Sequence, residues 1–251
     1  MALSFGTHDH GRMSPSAVDR ARQLWVDLAR VPVAFPLRGE VSVAVSPESR
    51  LCPPQWTGIV ALDGAILATV PNPGLIDTVR GALLDHVAEA AIDLARLQTT
   101  LPARDVMGPA TLAYLDDQDF VAAHANTEVE SLAADHRDVR ALLASVEEQD
   151  ADESGLAAIT SAAFVVRQGQ KVIAASGYRP WLMSTAQLSV LTAVGYRGRG
   201  LASVVASAAV ADALANGLLP QWRARVEPSR RVAHALGFRE YGSQISFRLA
   251  H

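Results

Sequence analysis

One stretch limits the folds open to this chain: Val194-Gly195-Tyr196-Arg197-Gly198-Arg199-Gly200-Leu201-Ala202. Before it, residues 186–194 (AQLSVLTAV) have strand character. After it, residues 201–215 (LASVVASAAVADALA) form a helical pattern stopped by Asn216-Gly217. A glycine-rich turn from strand into helix exposes successive backbone N–H groups. The helix N-terminus adds partial positive charge, so such a turn can seat a pyrophosphate. Gly198 and Gly200 allow close backbone approach, and Arg197 and Arg199 add charge. The stretch is neither a P-loop, which ends in Gly-Lys-Ser/Thr, nor a dinucleotide G-x-G-x-x-G.

The rest of the chain reads as alternating elements. Residues 14–30 suit a helix capped by Ser14, and 31–36 and 40–46 are short and β-like. Residues 56–70 read as a hairpin turning at Asp63-Gly64. A break at 71–74 (PNPG) precedes a long helical pattern at 75–97. Leu101-Pro102 and Gly108-Pro109 suggest a linker, with units at 1–105 and 106–251. A strand at 111–115, helices at 117–125 and 131–148, and a polar break at 150–155 follow. Then come a hairpin (163–168 and 171–178), the strand and helix around the glycine-rich turn, a strand at 221–226, a helix at 229–236 and a last strand at 240–249.

Composition excludes several classes. The single cysteine, Cys52, permits no internal disulfide and no multi-cysteine metal site, and the seven histidines show no ligand spacing, so no metal is expected. The alanine-rich runs are too short to span a bilayer, and no secretory leader is visible, which points to the cytoplasm and away from membranes. The net charge of −4 hides an asymmetry: residues 1–178 carry −10 and residues 179–251 carry +6. The basic part suits phosphates or an acidic partner. It has no lysine, since Lys171 is the only one in the chain, and nucleic acid is not the expected partner. The acidic balance of the N-terminal unit, residues 1–105, would suit a cationic acceptor amine.

Arg197-Gly198-Arg199-Gly200-Leu201-Ala202 resembles the R/Q-x-x-G-x-G/A pyrophosphate loop of the GNAT superfamily of N-acetyltransferases. The order of elements around it and Ala235-Leu236-Gly237-Phe238 resemble that family too, over roughly residues 110–251. GLLPQWRAR (217–225) and SRRVAHALGF (229–238) look like a bacterial subgroup with an extra N-terminal region. The resemblance implies an α/β (α+β) fold: a mixed, mostly antiparallel central sheet flanked by helices. Residues 1–105 would be an additional α/β unit, either a degenerate half of the same fold or a dimerisation element.

The implied reaction is acyl transfer from acetyl-CoA, or another acyl-CoA, to a small-molecule amine by direct attack on the thioester. The alternatives are a donor held on an acyl carrier protein and a non-catalytic acyl-CoA-binding module. The resemblance assigns Leu191, Thr192, Ala193, Val194, Arg197, Gly198, Arg199, Gly200, Leu201, Ala202 and Ser229 to the co-substrate. Glu153 and Glu227 are the candidate bases, with Glu128 and Glu130 behind them. Tyr178, Trp181, Gln187 and Trp222 are the candidate acceptor-binding residues, with Ser189 as a further polar group on the same strand. The tyrosine that many members use as acid falls on Ala233, with His234 beside it, and the Val226–Ser229 connection lacks the family's usual asparagine. The chain would act as a monomer or homodimer.

Overall fold

Ten strands join in one sheet in a computed structural model that describes residues 15–87, 94–123 and 127–249. They are β1 (Val41–Val45), β2 (Thr57–Leu62), β3 (Ala65–Val70), β4 (Ala103–Tyr114), β5 (Glu130–Leu132), β6 (Ala163–Gln168), β7 (Lys171–Trp181), β8 (Thr185–Thr192), β9 (Leu219–Ala224) and β10 (Arg239–Leu249). Their order is β1-β3-β2-β10-β4-β9-β8-β7-β6-β5, and only β1–β3 and β8–β9 run parallel. The expected mixed, mostly antiparallel α/β architecture is therefore the observed one. The helices are α1 (Ala17–Ala29), α2 (Ile76–Val87), α3 (Leu97–Thr100), α4 (Arg137–Leu143), α5 (Glu148–Ser154), α6 (Leu201–Ala215) and α7 (Glu227–Ala235).

The first part of the chain is woven into this sheet. Strand β10 lies between β2 and β4, and β4 lies between β10 and β9. The expected linker at 101–109 is thus mostly strand. Gly108 adopts φ +105°, and the β4–β10 register shifts between Gln244 and Ser246, so Pro109 and its missing N–H fit beside the irregularity. On one face, α1 buries Leu24, Trp25 and Leu28 against β2, β3 and β4, where Trp25 Nε1 donates to the Tyr114 hydroxyl at 2.7 Å. Both side chains are fully buried, so the bond satisfies two groups that water cannot reach.

Other expectations shift. The α1 cap is Ser16, whose Oγ accepts from the Asp19 N–H; Ser14 lies outside the described residues. Residues 31–36 form no strand. The helix expected over 75–97 is α2 followed, beyond residues outside the description, by one 3-10 turn and α3. The helix expected over 117–125 is a single 3-10 turn at Asp117–Asp119. The helix expected over 131–148 divides into β5 and α4, and the polar break 150–155 falls largely in α5. That helix has no buried residue; acids in its first turn suit the helix dipole, and Gly155 ends it at φ +65°.

Helix α6 agrees with expectation over its whole length. Its alanines favour the helix and let it lie close against β7 and β8, burying Val205, Ala206, Ala209, Val210 and Ala213. Asn216 Nδ2 donates to the Asp212 carbonyl, and Gly217 closes the helix at φ +70°.

Candidate active site

Strands β8 and β9 start as paired neighbours and then part. Their register covers Thr185–Gln187 against Leu219–Gln221 and goes no further. Gln221 Nε2 donates to Gln187 Oε1 at 2.6 Å at the point of separation. Below it a cavity of about 330 Å³ opens between the strands. Its walls include Gln187, Leu188, Ser189 and Val190 of β8, Trp222–Ala224 of β9, Ser229 of α7 and the Asp152–Gly155 end of α5.

Strand alternation sorts these side chains. Leu188, Val190 and Trp222 face the cluster built on α6 and α7. Gln187, Ser189 and Arg223 face the other way. There Ser189 packs so closely on α5 that a Cβ on Gly155 would meet its Oγ at 2.9 Å. Trp222 is fixed by an edge contact with Phe238 (5.5 Å) and by donating Nε1–H to Ser229 Oγ at 3.0 Å. Because Ser229 Oγ accepts that bond, its own proton is free to be donated into the cavity. Glu153 also lines the cavity, with its carboxylate 3.6 Å from Arg225 Nη1.

The glycine-rich turn follows β8 as a 3-10 turn at Val194–Tyr196 and then enters α6. Gly198 and Gly200 have φ near +75°, a region that glycine enters without strain. A Cβ at Gly195, Gly198 or Gly200 would meet no atom within 4 Å, so the surface above the turn is open. Helix α6 has no side-chain cap and no acid in its first turn, and its first N–H groups lack helical partners. Arg199 stacks on Tyr196 at 5.1 Å and donates to the Gly195 carbonyl. Arg197 pairs with Asp150 of α5 at 2.6 Å and reaches back to the Thr192 carbonyl. Tyr196 and Gln168 hydrogen-bond through their side chains. This cradle fits a pyrophosphate.

Of the residues singled out in the sequence, Glu153, Trp181, Gln187, Trp222 and Ser229 meet at the cavity. Leu191 and Ala193 are buried beside α4, Thr192 Oγ1 is buried with no partner, and Val194 to Ala202 make the turn and helix start. Other residues lie elsewhere. Tyr178 is in the core against α6; burial and Asp212, to which its hydroxyl donates at 2.7 Å, push its pKa up to about 12. Glu227 is the exposed first residue of α7, pairs with Arg230 at 3.2 Å and does not line the cavity. Glu130 pairs with Arg167 on the edge strand, Glu128 is exposed, and His234 pairs with Glu240. Ala233 is core. Asp152, Arg179, Arg223 and Arg225 line the cavity without having been anticipated. Among the described residues no group of His, Cys, Asp or Glu is placed to hold a metal, and no helix is long and apolar enough to cross a membrane.

Residues 154–243 match the family model described as GNAT acetyltransferase. A GCN5-related N-acetyltransferase from Kribbella flavida has the same fold over 93% of this chain and 95% of its own, with a TM-score of 0.51 at 14% identity. An acetyltransferase of the GNAT family from Colwellia psychrerythraea covers 95% of this chain and 98% of its own, with a TM-score of 0.49 at 13% identity. A GNAT-family protein from Novosphingobium aromaticivorans matches 58% of this chain at 22% identity and a TM-score of 0.45; the chain spans 65% of its length. No curated protein matches the sequence.

Proposed function

We propose that the chain, whose residues 154–243 match the GNAT acetyltransferase family model, transfers an acyl group from acetyl-CoA, or another acyl-CoA, to the amine of a small molecule. The observation that carries this reading is the parting of β8 from β9 beside an uncapped helix start with two arginines on its turn.

The donor's pyrophosphate would rest on the free N–H groups of Leu201 and Ala202, with the Arg199 guanidinium alongside. The unpaired edge of β8 from Leu188 onward offers backbone donors and acceptors to the amide-bearing arm. The thioester supplies an activated carbonyl carbon. Glu153, which lines the cavity, would take a proton from the attacking amine, directly or through one water. A C–N bond forms, the C–S bond breaks, the amine proton passes to Glu153, and the departing thiolate takes a proton from solvent water. Ser229, with its hydroxyl proton free, can donate a hydrogen bond to that sulfur, which answers the absence of a tyrosine at Ala233.

The test is thiol release from acetyl-CoA with a panel of amines, alongside calorimetric titration of acetyl-CoA. Glu153→Gln should lower kcat by at least about 100-fold while leaving acetyl-CoA affinity unchanged. A double variant, Arg199→Ala/Gly200→Glu, should lose binding. A folded wild type that neither binds acetyl-CoA nor releases thiol overturns the reading.

A further inference from the structure

A second cavity, of about 210 Å³, adjoins the first and shares Ala110, Trp181, Arg223 and Arg225 with it. The first part of the chain builds much of its wall through Arg50–Pro53 and through Met107 and Gly108 of β4. The lining contains Arg50, Arg223 and Arg225 and no carboxylate. The acids that make residues 1–178 negative overall do not reach it.

Arg223 is the unusual member. It stands in β9, whose other residues are all buried, and its Nε is buried with no hydrogen-bond partner. It makes no ion pair among the described residues, and its guanidinium lies over the Trp181 ring at 5.7 Å. Burial pushes its pKa down, yet an arginine keeps its charge at any physiological pH. Arg223 is half-buried, with its Nε shut away from water and unpaired, and a cation held so without an anion is costly, a cost that a ligand's counter-charge would offset. Arg50, on the exposed rim, likewise has no ion-pair partner among the described residues. Arg225 meets only Glu153, at 3.6 Å, beyond a good hydrogen bond. Gln244 Oε1 in the same wall is also buried and unpartnered, an acceptor suited to a hydroxyl or N–H.

We propose that this second cavity is the acceptor's anion subsite: the amine substrate carries a carboxylate or phosphate that docks on Arg223, with Arg50 and Arg225 beside it. The inference rests on the acyltransfer reading. Arg225 lines both cavities and touches Glu153, so the amine at Glu153 and the anion at Arg223 are separated by only a short spacer. The substrate class is a compact amine of the amino-acid or phosphorylated-amine type. Donor and acceptor then enter from opposite faces of the sheet, the donor beside α6 and the acceptor beside α5 and the Arg50 loop.

The test has a binding arm and a turnover arm. In the first, glutarate and inorganic phosphate are titrated into the full chain without acyl-CoA. Arg223→Gln should weaken whichever anion binds by about 10- to 100-fold, Arg223→Lys should restore part of the affinity, and the exposed Arg50→Ala should weaken it by about 3- to 10-fold. Glutarate against phosphate distinguishes a carboxylate site from a phosphate site. In the second, thiol release is compared for amino acids, phosphorylated amines and their neutral amide or alcohol analogues. The anionic acceptor should have the higher kcat/KM by at least about tenfold, and Arg223→Gln should erase that preference. Anion binding with no transfer to any amine overturns the acyltransfer reading and leaves the subsite standing. Transfer with no preference for anionic amines, or anion binding indifferent to Arg223 and Arg50, overturns the subsite.

Discussion

The glycines of the turn offer a test in which three neighbouring positions differ only in backbone conformation. Gly198 and Gly200 have φ of +75° and +76°, whereas Gly195 is outside the positive-φ region, and a Cβ at any of them meets nothing within 4 Å. Alanine therefore clashes nowhere, and its whole effect is conformational. Holding an L-residue in the left-handed region costs about 1–2 kcal/mol. The turn is exposed, so an empty Gly200→Ala turn can relax into a region that alanine prefers. A ligand that needs the original N–H directions must then supply the same 1–2 kcal/mol, and Kd should rise by about 5- to 30-fold. If the turn cannot relax, the same strain lowers Tm by about 2–8 °C instead. Calorimetric titration of acetyl-CoA, with thermal melts on the same samples, measures both. Gly198→Ala and Gly200→Ala should show the penalty, and Gly195→Ala should leave Kd within about twofold of wild type, having no strain to store. Unchanged Kd and Tm in Gly200→Ala, or equal weakening by Gly195→Ala, would refute the argument that this backbone holds the donor.

Other predictions concern the frame of the site. Glu240 ties α7 to β10 by accepting Arg230 Nε and Nη2 at 2.7 Å each, with His234 Nε2 at 2.9 Å, and the bond from Arg230 holds its carboxyl below the usual range. A depressed carboxylate pKa stabilises above the unfolded value, about 4.3, and that stability is lost as pH falls through the folded value. Glu240→Gln should thus cost about 1 kcal/mol at pH 7 after allowing for solvent screening, with the gap to wild type closing in acid, as urea melts at both pH values will show. Gly237 has φ +94°, and a Cβ there would lie 2.0 Å from the Asp119 carbonyl oxygen, so Gly237→Ala should destabilise by at least about 3 kcal/mol in the same melts. Burial pushes the Cys52 thiol up to about 12. It should react slowly with iodoacetamide at pH 8 until the chain is unfolded.

What the sequence made legible was what short-range chemistry encodes. The hairpins at 57–70 and 163–181, helix α6 with its Asn216-Gly217 stop, and the closing strand–helix–strand order all follow from periodicity and turn residues within a few positions. The end of β4 was legible as the strand expected at 111–115, but its first part was not, because Gly108-Pro109 is a break by every local rule, and β10, more than a hundred residues downstream, makes residues 103–107 a strand. Helix α5 was missed for the opposite reason. It buries nothing, so it has no apolar stripe to find, and its acids and Gly155 cap hold it at the surface.

The site divides along the same line. The donor turn is contiguous, and its chemistry is visible in six residues. The acceptor side is assembled from α5, β9, β10 and the Arg50 loop, so no window of sequence contains it. Its one local trace is Arg223, a charged residue inside the buried strand Leu219–Ala224. In the sequence that arginine is one of nine in a basic segment, and Trp222 beside it draws the eye as a pocket residue. Alternation sends the two to opposite faces: Trp222 toward α7 and Ser229, Arg223 toward Trp181 and the second cavity. The same geometry reverses the inference drawn from net charge. Residues 1–178 carry −10, which favours a cationic partner, yet the charged side chain they present to the second cavity is Arg50. A ligand in a narrow cleft responds mainly to the charges lining it, because charges on the exposed surface farther off are screened within about 8–10 Å. The sign of the lining, rather than that of the segment, should decide which amines this chain acylates.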